Sequence, residues 1–167
     1  VGAAVFASGT AAIFGTLLTI LKSGDHIVSS SSLYGGTYTL FSTQLKRFGI
    51  STSFVNADNT ENFAKAINTE TRLIFIDALG NPKLDIIDIE KVADIAKANN
   101  IPLIVDNTVP SPALFKPLEH GANIVVHSLT KFIGGQGNSL GGAVIDGGIF
   151  DWGSGKFPEF TEPSPSY

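Results

Sequence analysis

The chain has 167 residues, 43% of them apolar and 16% charged, with a net charge of −4. That composition belongs to a globular domain rather than a disordered segment, and a chain of this length buries roughly 70% of its unfolded surface. There is no basic block to attract nucleic acid or an anionic membrane, no Cys for disulfide or thiolate chemistry, no metal-ligand spacing among the three His, and no apolar run near the ~20 residues that span a bilayer.

Ser8-Gly9-Thr10 precedes Ala11 to Leu18, an N-cap followed by a buried helix that Ser23-Gly24-Asp25 stops. His26 to Ser30 is a short strand running into Leu33-Tyr34-Gly35-Gly36-Thr37. A helix is expected from there to about Phe48, closed by Gly49. Ser51 to Val55 alternates as a strand, and Glu61 to Ile67 is an amphipathic helix. Leu73 to Asp77 is a buried strand, followed by Leu79-Gly80-Asn81-Pro82. Asp88 to Ala98 places apolar residues at 89, 92, 93, 95 and 96, a helical face.

Two apolar runs come next. Ile101 to Val105 ends in Asp106; Ala122 to His127 leads through Ser128-Leu129-Thr130 to Lys131. Both are β-branched with little alternation, the signature of buried parallel strands. A Pro-rich turn and a short helix or turn near Leu118 lie between them, and Gly141 to Asp146 is a last strand. Strand and helix alternate throughout, so the expected architecture is α/β, three layers with a mainly parallel sheet. The segment from Gly147 to Tyr167, rich in Gly, Pro, Ser and aromatics, is expected to be a long loop packed on something outside the chain. The chain begins at Val1 without Met, and nothing at its start resembles a signal peptide. Residues 1–167 are therefore expected to be an internal piece of a longer protein.

Lys131 and Asp106 both arrive at the carboxyl ends of strands, the edge at which open α/β sheets bind ligands. Pyridoxal phosphate needs this pair: a lysine for its Schiff base and a carboxylate for its pyridine nitrogen. Its phosphate needs N–H and O–H donors at a helix N-terminus, which Ser8, Gly9 and Thr10 offer, with Ser128 and Thr130 beside the lysine. Tyr34 suits the ring face, and the Asn81 amide suits the phenolic oxygen. Each residue also has a plain reading: a solvated surface lysine, a turn-capping Asp106, an ordinary N-cap at Ser8, a core aromatic at Tyr34, a common Asn-Pro turn at Asn81. It is their joint arrival at strand ends that favours the cofactor. The run Gly134 to Gly142 is not a dinucleotide fingerprint, because it lacks G-x-G-x-x-G and precedes a strand; Gly153-Ser154-Gly155-Lys156 lacks the remainder of a P-loop. The first run is expected to be a flexible turn leaving the lysine.

Ser8-Gly9-Thr10-Ala11-Ala12, Leu33-Tyr34-Gly35-Gly36-Thr37, Gly80-Asn81-Pro82, Val105-Asp106-Asn107-Thr108 and His127-Ser128-Leu129-Thr130-Lys131 together resemble the pyridoxal-phosphate enzymes of cysteine and methionine metabolism. The resemblance covers essentially the whole chain. It implies the large cofactor-binding domain of the aspartate-aminotransferase-like fold (fold type I), with the N-terminal arm and the C-terminal domain lying outside these residues. Within the family the chain is most similar to the O-acetylhomoserine sulfhydrylase branch, on Gly80 to Leu84, Lys131 to Gly135, and the loop from Phe150-Asp151-Trp152 through Phe157-Pro158-Glu159-Phe160 to Tyr167.

The reaction so implied is γ-replacement: O-acetyl-L-homoserine plus sulfide or methanethiol gives homocysteine or methionine, plus acetate. In that reading Lys131 carries the cofactor and shuttles protons, Asp106 keeps the pyridine nitrogen protonated, Tyr34 stacks and assists the leaving group, and Asn81 contacts the ring phenolate. Gly9, Thr10, Ser128 and Thr130 hold the phosphate, with Ser8 a weaker contributor. Methionine γ-lyase and the cystathionine enzymes share this segment's chemistry and stand as the alternative; a structural or nucleotide-binding module is the non-enzyme alternative.

The resemblance also implies a cytoplasmic homo-oligomer, a tetramer of dimers, acting on small amino-acid substrates. The family often has Glu where this chain has Asp77, and Met or Gln where it has Thr10. A neighbouring subunit's Tyr-x-Arg segment and a C-terminal Arg for the substrate carboxylate both fall outside the chain, and Arg47 and Arg72 match neither. The 167-residue piece alone is therefore expected to be inactive.

Overall fold

The computed structural model describes residues 1–163. Seven strands form one sheet: β1 Gly2–Phe6, β2 His26–Ser30, β3 Ser51–Val55, β4 Thr71–Asp77, β5 Leu103–Asp106, β6 Ile124–Ser128 and β7 Gly142–Asp146. Their order across the sheet is β1-β7-β6-β5-β4-β2-β3. The block from β6 to β3 is parallel throughout, while β7 runs antiparallel to both β6 and β1. The mainly parallel α/β sheet expected from the alternation is what forms.

Alternation along the buried strands divides the core into two layers. Leu73, Phe75, Ile104, Ile124 and Val126 face one side, where they meet Ala12, Ile13, Leu17 and Ile20 of α1 (Gly9–Ile20). Leu40, Phe41 and Leu45 join that layer from the helical segment after Tyr34. Ile74, Ile76, Leu103, Val105 and Val125 face the other side, against Phe63 of α3 (Glu61–Ala66) and Ile89, Val92 and Ala96 of α4 (Ile89–Ala98). The sheet is thus the middle layer of three. His26 sits within it, its ring nitrogens 2.8 Å from Thr71 Oγ1 and 2.9 Å from Ser53 Oγ, tying β2 to both neighbours.

One strand forms where no element was expected, and two expectations need amendment. Gly2–Phe6 is a strand, although its small, unalternating residues carried no strand signal; it forms because β7 offers it an antiparallel edge. The helix after Tyr34 is not continuous: α2 (Gly35–Thr39) gives way to a π turn over Leu40–Gln44 and a 3₁₀ turn over Leu45–Phe48, with Gly49 closing at φ +73°. The loop from Gly147 does not wait for a covering partner. Phe157 is fully buried in the α1-side layer, and Phe150 and Trp152 pack edge-on against it at 5.6 and 5.2 Å. Burial of three aromatics on the chain's own core is the stronger driving force. The end of that expected loop, 164–167, lies outside the described residues.

Candidate active site

Strand alternation decides which side chains meet. Asp77 follows Leu73 and Phe75 by the two-residue period, Asp106 follows Ile104, and Ser128 follows Ile124 and Val126, so all three project on the α1 side at the carboxyl edge. Asp77 and Asp106 are register partners on neighbouring strands. The N-terminus of α1 is packed hard against this edge: a Cβ on Gly9 would lie 2.6 Å from Ser128 Cβ and 2.9 Å from Ser128 Cα. Gly142, opening β7, is equally constrained, since a Cβ there would stand 2.1 Å from the Ser8 carbonyl oxygen. The second glycine explains why the turn leaving the lysine ends as it does.

A cavity of about 390 Å³ opens at this edge, within the range of small-molecule sites. Ser8, Gly9 and Thr10 line one side, Ser128, Thr130 and Lys131 another, Asp106 and Asp77 the floor, and Tyr34 and Asn81 the remaining wall. All nine residues singled out from the sequence therefore border one space, with Ile13, Val109, Phe132 and Leu140 supplying apolar surface.

Each position has a local cause. Ser8 caps α1, its Oγ accepting the Ala11 N–H at 3.1 Å, and its extended backbone turns the chain into the helix. The free N–H groups of the first turn then point at the cavity. Tyr34 precedes α2 and is half exposed, its ring lying over Gly36, where a Cβ would stand 2.5 Å from Tyr34 Cε1. Lys131 lies in the turn after β6, its N–H bonded to the Ser128 carbonyl at 3.3 Å. Thr130 Oγ1 accepts the Gly141 N–H at 3.1 Å and holds that turn closed.

Asp106 is held from one side only. Its Oδ1 accepts the Thr108 hydroxyl at 2.6 Å and the Thr108 N–H at 2.9 Å, which favours the ionised form. Burial outweighs those bonds and pushes the carboxyl above its ordinary range. A cation placed in the cavity would reverse that shift. Thr108 also accepts the Ser128 N–H at 2.7 Å, so one hydroxyl joins the ends of β5 and β6. Arg72, by contrast, pairs with Asp25 at 3.2 Å, in a region of the chain that takes no part in the cavity.

Two residues of the site carry no assigned role in the sequence reading. Thr108 enters there only as the last residue of the Val105-Asp106-Asn107-Thr108 motif. Asp77 ends an apolar run just as Asp106 does, and that parallel was the available signal. Asp77 is almost fully buried: Oδ2 accepts the Tyr34 N–H at 2.9 Å, while Oδ1 is buried with no hydrogen-bond partner among the described residues.

The donor set fits pyridoxal phosphate. It offers a glycine-cleared helix N-terminus for an anion, a buried carboxylate for a pyridinium, and a lysine bordering the same cavity. The model of the Cys/Met metabolism PLP-dependent enzymes matches residues 1–160. An O-acetyl-L-homoserine sulfhydrylase of Leptospira meyeri is 55% identical over 167 residues, covering 100% of this chain and 38% of that protein. A homocysteine synthase of Schizosaccharomyces pombe is 48% identical, covering 99% of this chain and 40% of its own length. The chain therefore spans about two-fifths of the relatives it matches. A crystal structure from Campylobacter jejuni, assigned as an O-acetylhomoserine (thiol)-lyase and containing N'-pyridoxyl-lysine-5'-monophosphate, superposes with a TM-score of 0.96. It is 41% identical, and the match covers 99% of this chain and 41% of that one.

Proposed function

This chain belongs to the Cys/Met metabolism PLP-dependent enzymes, and from that premise we propose that it is the cofactor-binding part of an O-acetylhomoserine sulfhydrylase. The full-length protein converts O-acetyl-L-homoserine and sulfide, or methanethiol, to homocysteine or methionine with release of acetate. The observation that carries this reading is the convergence of Lys131, Asp106, Tyr34 and the α1 N-terminus on one cavity of about 390 Å³. Relatives with the matching sequence are sulfhydrylases and homocysteine synthases.

Bound pyridoxal phosphate supplies an electron sink that acidifies the substrate's Cα and Cβ hydrogens. The residues supply the rest. Gly9 and Thr10 present backbone N–H groups to the phosphate, and Ser128 and Thr130 add hydroxyls, with Ser8 assisting. Asp106 places one negative charge opposite the pyridine nitrogen, and Thr108 keeps that carboxylate aimed. Tyr34 covers one ring face and Asn81 donates to the phenolic oxygen. Lys131 would anchor the cofactor and would move protons between substrate carbons as general base and acid. In this reading the partner for the substrate carboxylate is none of the residues that line this cavity, and turnover is a property of the full-length protein.

No helix among the described residues is long and apolar enough to cross a membrane. A cytoplasmic homo-oligomer, tetrameric as a dimer of dimers, completes the proposal. The test is acetate release from O-acetyl-L-homoserine by the full-length protein, with and without sulfide. Sulfide-dependent release with homocysteine formed supports replacement. Release independent of sulfide, with 2-oxobutyrate formed, assigns the protein to the eliminating members of the family, and no release refutes the substrate.

A further inference from the structure

Two carboxyl groups, Asp77 and Asp106, stand side by side on the floor of the cavity. The cofactor's pyridine nitrogen requires only one. Asp77 is the less exposed of the two, with 6% of its surface accessible. Its two oxygens have unlike environments: Oδ2 takes the Tyr34 N–H at 2.9 Å, and Oδ1 has no hydrogen-bond partner among the described residues. An ionised carboxylate with one oxygen buried and unsatisfied is costly; in the neutral acid the unpartnered hydroxyl on Oδ1 costs less than a bare charge, and the carbonyl oxygen on Oδ2 needs one donor contact. The Tyr34 N–H provides that contact.

We propose that Asp77 is a positioning residue held as a neutral acid: its carbonyl oxygen fixes the Tyr34 backbone, and thereby the ring that covers the cofactor, while Asp106 remains the single anion of the pair. The charged groups that face Asp77 are Asp106 from β5, Asp85 from the loop after β4, and Lys131 across the cavity. Asp85 is itself bound by the Ser32 hydroxyl at 2.6 Å. Burial first, then the Asp106 charge, pushes the Asp77 carboxyl well above its usual range, and the Tyr34 bond opposes that only in part. Two like charges side by side, both largely buried, disfavour one another, so one member keeps its proton. Tyr34 selects which: its N–H is satisfied by a carbonyl oxygen as well as by a carboxylate, whereas Asp106 takes two bonds from Thr108 on a single oxygen and leaves the other toward the cavity.

The inference rests on the cofactor reading above, and its test separates the two. In the full-length apoprotein, denaturant unfolding of wild type is compared with Asp77→Asn from pH 4 to 8. An acid whose folded pKa is raised favours folding most below its unfolded value near 3.8 and loses that advantage as pH rises toward the folded value. The unfolding equilibrium of wild type relative to Asp77→Asn is therefore expected to worsen by up to about tenfold per pH unit across that window. An equal or opposite pH dependence would show that Asp77 is ionised when folded and would overturn the proposal without touching the cofactor.

Pyridoxal phosphate titrations then test the positioning role. Asp77→Ala is expected to weaken binding about tenfold and to alter the cofactor's absorption band, Asp77→Asn to restore both, and Asp106→Asn to lose binding far more severely. Asp77→Asn as damaging as Asp106→Asn would make Asp77 the anion, and an unchanged Asp77→Ala would remove its role; either overturns the proposal. Failure of wild type to bind pyridoxal phosphate refutes the cofactor reading, while the apoprotein unfolding comparison still decides the protonation state.

Discussion

Replacing Thr108 with Val removes one hydroxyl at nearly constant volume, and that hydroxyl has two partners. It donates to Asp106 Oδ1 at 2.6 Å and accepts the Ser128 N–H at 2.7 Å. A hydrogen bond to a charged group contributes about 1.5–3 kcal/mol, and a stranded buried N–H costs about 1–3 kcal/mol. The Thr108 N–H still reaches Asp106 Oδ1 at 2.9 Å, so the carboxylate stays in place but is less favoured as an anion. Its pKa, already raised by burial, rises further. If 1.5–3 kcal/mol of that loss is transmitted to the cofactor's pyridinium, affinity for pyridoxal phosphate falls roughly 10- to 100-fold. Absorbance titration of the full-length apoprotein measures this, with Thr108→Ser as the control that keeps the hydroxyl. The Ser variant is expected to stay within about threefold of wild type, since every 1.4 kcal/mol is tenfold. Wild-type affinity in Thr108→Val would refute the claim that this hydroxyl governs Asp106.

Other perturbations probe the packing that creates the site. Gly9→Ala forces a Cβ to within 2.6 Å of Ser128 Cβ, so a loss of about 1–3 kcal/mol in denaturant unfolding, with weakened cofactor binding, is expected. Phe157→Ala empties a fully buried ring position in the α1-side layer and is expected to cost about 3–5 kcal/mol in the same assay, against little change if the loop packs elsewhere. His26 and His127 are held below their ordinary pKa by burial. A base depressed in the folded state contributes stability above its unfolded value, near 6.5, and loses it as pH falls through the folded value. The histidines' contribution to apoprotein stability is thus expected to fall below about pH 6.5, against the opposite contribution of Asp77, so that wild type loses stability relative to His26→Gln as pH drops through that window.

The strands that build the floor of the site were legible in the sequence because they are buried on both faces. Leu73 to Asp77 and Leu103 to Asp106 are unbroken apolar runs with a charge at the end, and an unneutralised charge there has to face a cavity or a partner. The N-cap at Ser8 was equally plain, since a hydroxyl followed by glycine and an apolar helix has few other uses. What stayed hidden depended on tertiary context. Gly2–Phe6 becomes a strand only because β7 presents an edge, and the helix after Tyr34 breaks into π and 3₁₀ turns with no proline to announce it. Phe157 looks like part of a polar loop until α1 is beside it. Thr108 is an ordinary turn residue in one dimension, and its bridge from Asp106 to Ser128 exists only once β5 and β6 are adjacent.

The central claim is that Lys131 carries the cofactor at the edge where Asp106 and the α1 N-terminus converge. The most direct measurement is borohydride reduction of the full-length protein loaded with pyridoxal phosphate, followed by proteolysis and mass spectrometry of the pyridoxylated peptide. The account predicts the pyridoxyl group on Lys131, and none at that cavity in Lys131→Ala. Modification confined to another lysine, such as Lys83 or Lys116, or no modification at all, would contradict it.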